Sequence, residues 1–261
     1  MTDSRAHTAD EILRASAAWV WFPRGSEQEK TELQLVRHPA RFGGGVKASQ
    51  VGSTRSADEV LDYAIERTRT WGETELTFWT NASDSPDLED ALQRRGARHV
   101  DTVAVLARPI VGMPIEVPGD VTPEVVRTEE QFREVDRINV AVWDHQSALT
   151  DDGLREELDE IAESLASRTG GRVLSRLDGV AVSTGGCTVA DGFVRLWGAA
   201  TLPDARGRGA YRAVLAGRLR LGAEMGATTA LVKGRISTSA PILARAGFEH
   251  FGDERGYVLT V

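Results

Sequence analysis

The chain of 261 residues is poor in several things, and each shortage removes a class of function. There is one cysteine, Cys187, so an internal disulfide and a cysteine-rich metal site are both excluded. The five histidines stand at 7, 38, 99, 145 and 250, and no two share the i, i+4 spacing of a helical metal pair. Positive charge is in deficit: the formal net charge is -8 and the pI about 5.3, the wrong sign for a general nucleic-acid binder. No stretch reaches the roughly 18 uncharged apolar residues of a membrane helix. The opening MTDSRAHTADEILRAS has no apolar core of the kind a secretory signal needs. The expectation is a cytoplasmic protein with no metal, nucleic-acid partner or membrane. Lysine is scarce too, at 30, 47 and 233 only, and arginine supplies the remaining basic residues. That bias carries no functional meaning by itself. What is present is enough apolar sequence, 41%, to build a core, which rules out disorder over most of the length.

Proline is sparse except between 109 and 123, where PIVGMPIEVPGDVTP carries four prolines and two glycines. Neither a helix nor a central strand tolerates that density. It divides the chain into a domain at 1–112 and a domain at 118–261. In the second, VTPEVVRT reads as a strand, and Thr128 with Gln131 forms a capping-box signature at a helix start. Thr150 opens a second helix. Asp178-Gly179 and Ala190-Asp-Gly192 are turn signals separating three adjacent strands that end with FVRLWGAATL. A glycine-containing loop then leads into a helix from about Gly207 to Met225. TTALV follows as a buried strand, TSAPILARA as a short helix ended by Gly247, and FEHFGDERGYVLTV as one or two closing strands.

The first domain ends in the same order: helix ADEVLDYAIERTRTWG, strand TELTFWT, helix LEDALQRRG, strand HVDTVAVLARPI. Leu92, Arg94, Gly96 and His99 match Leu243, Arg245, Gly247 and His250 at a constant offset, and Gly72 matches Gly226 at a slightly longer one. The shared order and the matches favour an internal duplication.

The chemically informative segment is Leu202-Pro-Asp-Ala-Arg206-Gly207-Arg208-Gly209-Ala210-Tyr211-Arg212, which joins a strand to a helix. A helix start already carries partial positive charge and unpaired amides, so acids or capping side chains belong there. Here Arg206, Arg208 and Arg212 gather at that end instead. The arrangement fits an anion docked on free amides, with glycines permitting close backbone approach. The matching helix of the first domain begins Ser56-Ala-Asp58-Glu59, a self-satisfied capping box that repels phosphate. One phosphate site per chain follows, in the second domain. The Gly-Lys-Ser/Thr of a Walker loop is absent, and a dinucleotide fingerprint needs glycine where Arg212 stands.

At these residues the sequence resembles the GCN5-related N-acetyltransferase (GNAT) family, whose loop reads Gln/Arg-x-x-Gly-x-Gly/Ala. Arg206-Gly207-Arg208-Gly209-Ala210-Tyr211 matches except that Tyr211 replaces the final small residue. The resemblance covers about 120–261 through the order of elements, with 1–110 as a degenerate copy. It implies an α/β fold: a GNAT-like mixed, mainly antiparallel sheet flanked by helices, in two tandem copies. It also implies an acyl-CoA, acetyl-CoA in particular, as co-substrate in the gap between the strand ending at Leu202 and the strand Thr228–Val232. The amides of Gly207, Gly209, Tyr211 and Arg212 hold the pyrophosphate in that reading, with Ala210 in the same loop. Backbone groups near Ala199, Thr201 and Leu202 pair with the pantetheine arm, and an amide near Ala199 polarises the thioester carbonyl.

The implied reaction is direct transfer of the acetyl group to a primary amine of a small molecule, with a base for the ammonium and an acid for the departing thiolate. The sequence departs from the family at the acid. Leu243 stands where a tyrosine is common, and Ile236-Ser237-Thr238-Ser239 replaces a usual asparagine. Ser239, Tyr211 and Tyr257 are the substitutes, or water. On the acceptor side, Val142-Trp143-Asp144-His145-Gln146-Ser147 offers an aromatic, an acid and an imidazole, with His145 as a catalytic candidate; a solvated helix end with Trp143 turned inward is the alternative. Trp197 and Cys187 read as core. The missing tyrosine and asparagine also fit a catalytically silent CoA-binding regulatory or interaction module. O-acyl transfer and thioester decarboxylation keep the cofactor and change the chemistry. A monomer or a homodimer fits equally well.

Overall fold

A computed structural model describes residues 7–50, 52–81, 84, 86–112, 114–143 and 146–261. Contacts divide the chain into two compact units. The first comprises Ala107–Val232 and Ala246–Glu249 together with His7; the second comprises Thr8–Leu106, Lys233–Arg245 and His250–Val261. Compactness therefore cuts the chain differently from the linear division at 112/118: most of the C-terminal thirty residues group with the N-terminal hundred.

In the first unit the proline-bearing stretch gives way to strand β6 (Val121–Val125), which lies at the sheet edge and pairs with one neighbour. Edge position is what allows Pro123 inside a strand, since no second ladder asks for its missing N–H. Thr128 closes a capping box with Gln131 and starts α4 (Glu129–Val142); Thr150 caps Gly153 and starts α5 (Asp151–Ala166). Strands β7 (Gly170–Leu177), β8 (Val180–Ala190) and β9 (Phe193–Thr201) form an antiparallel meander. Its two turns use Asp178-Gly179 and Asp191-Gly192, all four with positive φ, the conformation that matches strand twist in tight hairpins. Helix α6 (Ala210–Glu224) then crosses over to β10 (Thr229–Arg235), which runs parallel to β9. The order in this unit is β10-β9-β8-β7-β6. Helices α4 and α5 bury Phe132, Val135, Ile138 and Leu154 against Leu174, Ala181 and Ala200. Helix α6 buries Ala210 and Ala213 with Val121, Leu177 and Val182.

The second unit begins with α1 (Ala9–Ala17), started by a Thr8–Glu11 capping box. Strands β1 (Glu27–Lys30), β2 (Leu33–Arg37) and β3 (Val46–Gln50) follow; the sequence reading did not place any of the four. Helix α2 (Ala57–Thr70) crosses over to β4 (Glu75–Thr80), parallel to β3, and α3 (Leu88–Arg94) leads into β5 (Arg98–Pro109). Helix α7 (Ser239–Arg245) and nearly all of β11 (Glu249–Thr260) complete the unit, and a single strand takes the whole C-terminal segment. The order is β1-β2-β3-β4-β11-β5. Leu33, Leu35, Leu61, Leu76, Phe78 and Leu92 form its core.

Each unit thus contains a parallel βαβ crossover. The matched residues behave alike: Leu92 and Leu243 are both buried, Gly96 and Gly247 both adopt φ +82°, and Gly72 and Gly226 both take positive φ. No helix among the described residues is long and apolar enough to cross a membrane.

Candidate functional site

The sequence-predicted loop lies wholly in the first unit, between β9 and α6. Pro203–Ala205 forms a single 3-10 turn, and the chain then passes through Arg206 and Gly207 (φ +77°) to Gly209 (φ +87°), the N-cap of α6. A side chain at Gly209 is barred twice: by its left-handed backbone, and because a Cβ would lie 2.5 Å from Cγ of Pro118. No side chain caps α6 and no acid occupies its first turn. The amides of Ala210, Tyr211 and Arg212 therefore open the helix without an internal acceptor, and the macrodipole adds positive potential there. Buried Ala210 fixes this end, its carbonyl accepting from Ser175 Oγ at 3.0 Å.

The arginines are unequal. Arg208 is tied at 3.3 Å to Asp178, with Asp120 at 3.9 Å. Arg206 donates from Nε to the carbonyl of Thr201 at 3.4 Å. Arg212, exposed, has no ion pair among the described residues. It occupies the third helical position, where α2 carries Glu59.

Beside this end, β9 leaves its parallel partner. The β9–β10 pairs run from Phe193↔Thr229 to Leu196↔Val232. On its other edge β9 slips register against β8, Gly186 pairing with Trp197 but Thr184 with Ala200, so that Gly198 and Ala199 together face Gly185. This is a β-bulge, and Gly198 at φ +57° supplies the left-handed residue. The sequence reading placed Ala199 near the reacting centre but missed the bulge that re-aims it; the signal was a glycine inside the strand run FVRLWGAATL. Past the bulge the Leu202 amide donates to the Val182 carbonyl at 2.9 Å, and is spent there. By ladder alternation the N–H of Thr201 points away from β8.

The other candidates are placed as follows. Tyr211 is half-buried, its ring 5.8 Å from the guanidinium of Arg218. Ser239 opens α7 in the second unit. Tyr257 is buried in that unit and its hydroxyl donates to Glu89 at 2.9 Å. Leu243 is core. Asp144 and His145 lie outside the described residues; Trp143 beside them packs partly buried against the α4–α5 core. Trp197 donates from Nε1 to Thr188 Oγ1 at 2.9 Å and its ring lies 4.9 Å from the Arg172 guanidinium. Cys187 is buried, which pushes its thiol up to about 11, the signature of an inert cysteine.

Sequence reading also missed Arg218, fully buried in α6 with one hydrogen bond, from Nη1 to the Gly186 carbonyl at 3.4 Å. An arginine within an apolar helix stripe gives no sequence sign of being enclosed.

This arrangement has solved counterparts. A GCN5-related N-acetyltransferase from Kribbella flavida superposes with a TM-score of 0.65 at 22% identity over 90% of each chain. One from Sphaerobacter thermophilus gives 0.65 at 16% identity, over 97% of this chain and 85% of the other. A tandem GNAT protein from the clavulanic acid biosynthesis pathway gives 0.64 at 12%, over 95% and 87%. The chain has the GNAT fold. Neither a family model nor a curated protein matches the sequence. The α/β GNAT architecture, with its mixed, mainly antiparallel sheet flanked by helices, agrees with the expectation from the arginine-glycine loop, and the likeness to a tandem GNAT protein spans nearly the whole chain.

Proposed function

We propose that the protein is an acyl-CoA-dependent N-acyltransferase that transfers acetyl from acetyl-CoA to a primary amine of a small molecule. One observation carries the reading: α6 starts with unpaired amides, two left-handed glycines and Arg206, Arg208 and Arg212, beside a strand that bulges and parts from its neighbour. In this reading the amides of Gly207, Gly209, Ala210, Tyr211 and Arg212 hold the pyrophosphate, with the arginines supplying charge. The backbone of Ala199 and Thr201 receives the pantetheine arm. The Leu202 amide is excluded from that role by its bond to Val182. An amide at the Gly198–Ala199 bulge stabilises the oxyanion as a neutral amine attacks the thioester carbon. The C–S bond then breaks, the thiolate takes a proton and the amide product loses one. Tyr211 offers a hydroxyl in the same unit for that proton traffic.

The test is calorimetric titration of the full chain with acetyl-CoA and CoA, for wild type and for Arg206→Glu/Arg208→Glu. Charge-assisted hydrogen bonds contribute about 1.5–3 kcal/mol each, so losing two weakens binding by about 100-fold or more. No binding by the wild type overturns the assignment. A second reading, a CoA-binding module without turnover, is favoured by the burial of Leu243 and the commitment of the Tyr257 hydroxyl to Glu89. Free-thiol release across an amine panel separates the two.

A further inference from the structure

Strand β8 carries two consecutive glycines, Gly185 and Gly186, and a glycine inside a strand marks a place where another group comes close. Here two groups do. A Cβ on Gly186 would lie 2.4 Å from Cη2 of Trp197, and one on Gly185 would lie 3.0 Å from Nη1 of Arg218. Successive strand residues face opposite sides of a sheet, so the indole and the guanidinium press on β8 from its two faces. Gly186 pairs with Trp197, and Gly185 is the residue that Gly198 and Ala199 jointly face. Both close approaches therefore fall at the β9 bulge.

The two side chains are held in place. Trp197 immediately precedes Gly198, and its Nε1 donates to Thr188 Oγ1 at 2.9 Å. Arg218 is 1% exposed; its Nη1 donates to the Gly186 carbonyl at 3.4 Å, while Nε and Nη2 have no hydrogen-bond partner. Val214 closes on the same spot, its Cγ1 3.1 Å from a Cβ on Gly185. A buried guanidinium left this unsatisfied costs stability, and a well-packed apolar side chain of similar volume is as stable or more so. What Arg218 contributes is then to be sought in what it touches, the backbone of β8 opposite the bulge.

We propose that Arg218 is a positioning residue that, with Trp197 on the other face, clamps Gly185 and Gly186 and so fixes the bulge of β9. With β8 pinned there, β9 takes up its extra residue at Gly198–Ala199, where Gly198 adopts φ +57° and the extra residue leaves the ladder. The clamp stands on this geometry alone; its use, to aim a bulge amide at the thioester carbonyl, rests on the acyl-CoA reading.

The test pairs residual dipolar couplings at Gly198 and Ala199 in the ligand-free full chain with infrared spectroscopy of bound acetyl-CoA, isotope-labelled at its thioester carbonyl. In Arg218→Met the couplings show Gly198 leaving its left-handed conformation. The bound carbonyl stretch, lowered in the wild type by the bulge amide, moves back toward that of free acetyl-CoA. CoA has no thioester and binds this variant as it binds the wild type. The thermal midpoint of Arg218→Met holds or rises, where an arginine serving stability alone lowers it on removal. Gly185→Ala keeps the charge and pushes the guanidinium aside; it moves both readouts in the same direction and carries the test where Arg218→Met does not fold. Couplings unchanged in both variants overturn the proposal. A carbonyl frequency equal in wild type and variants overturns its link to the thioester. Failure of the wild type to bind acetyl-CoA overturns the acyl-CoA reading instead, and the couplings of the empty protein still decide whether the clamp holds the bulge.

Discussion

Helices α2 and α6 each cross over between parallel strands, β3 to β4 and β9 to β10, and each buries an apolar face on its own sheet. Their first turns differ. Ser56 Oγ accepts from the Glu59 amide at 3.3 Å, and Glu59 Oε2 accepts from the Ser56 amide at 3.0 Å, so α2 closes on itself. At α6 glycine replaces the capping serine, and arginine replaces glutamate at the third helical position. The same local architecture yields a finished terminus in one unit and an open, positive one in the other. A terminus that keeps its amides unpaired gives up the roughly 1 kcal/mol a side-chain cap supplies, and an anion is what recovers it.

The largest break in this comparison is at Gly209. Gly209→Ala forces a Cβ into Pro118 and strains a left-handed backbone, costing about 2 kcal/mol of stability by chemical denaturation and displacing the loop, so acetyl-CoA affinity falls with it. Next is Arg212→Glu, which gives α6 the acid that α2 has. It weakens acetyl-CoA binding about tenfold, near 1.4 kcal/mol, while the empty protein becomes slightly more stable through the macrodipole. Opposite signs for affinity and stability are the informative result; a fall in both makes Arg212 a structural residue. Ser56→Ala is smaller: about 1 kcal/mol of stability is lost and acetyl-CoA affinity is unchanged, measured by denaturation and calorimetry on one preparation.

Much of this was legible because local chemistry determines it. The starts of α2 and α4 are written in capping boxes that the structure shows closed, and the meander turns in Asp-Gly pairs. The start of α6 was legible through the absence of the same features. Strand β1, EQEK, is polar, exposed and at an edge, so no apolar alternation marks it, and four buried residues in a row in β2 give no period-2 signal. The grouping of Lys233–Arg245 and His250–Val261 with the N-terminal residues depends on strand pairing far apart in sequence, which no window of residues encodes. The Gly198 bulge had a readable sign in a strand glycine. Arg218 had none: it fits because Gly185 opposite it has no Cβ.

The finest distinction between the two termini is in acid. Glu59 is held below the usual carboxylate range, first by the Ser56 hydroxyl at 2.7 Å and then by the Ser56 amide. The folded-state value is thus lower than the unfolded one. The unfolded chain binds the proton first as pH falls, so the contribution of Glu59 is complete above about 4.5 and is lost as pH drops through the folded value. An NMR titration of Glu59 should show a midpoint below 4.5 that returns to the ordinary range in Ser56→Ala. An unshifted midpoint in the wild type breaks the capping-box account of α2. The α6 terminus has no acid in its first turn and contributes nothing to that titration. The arginines at that end stay charged through this window, so its positive charge is the half of the comparison that acid does not switch.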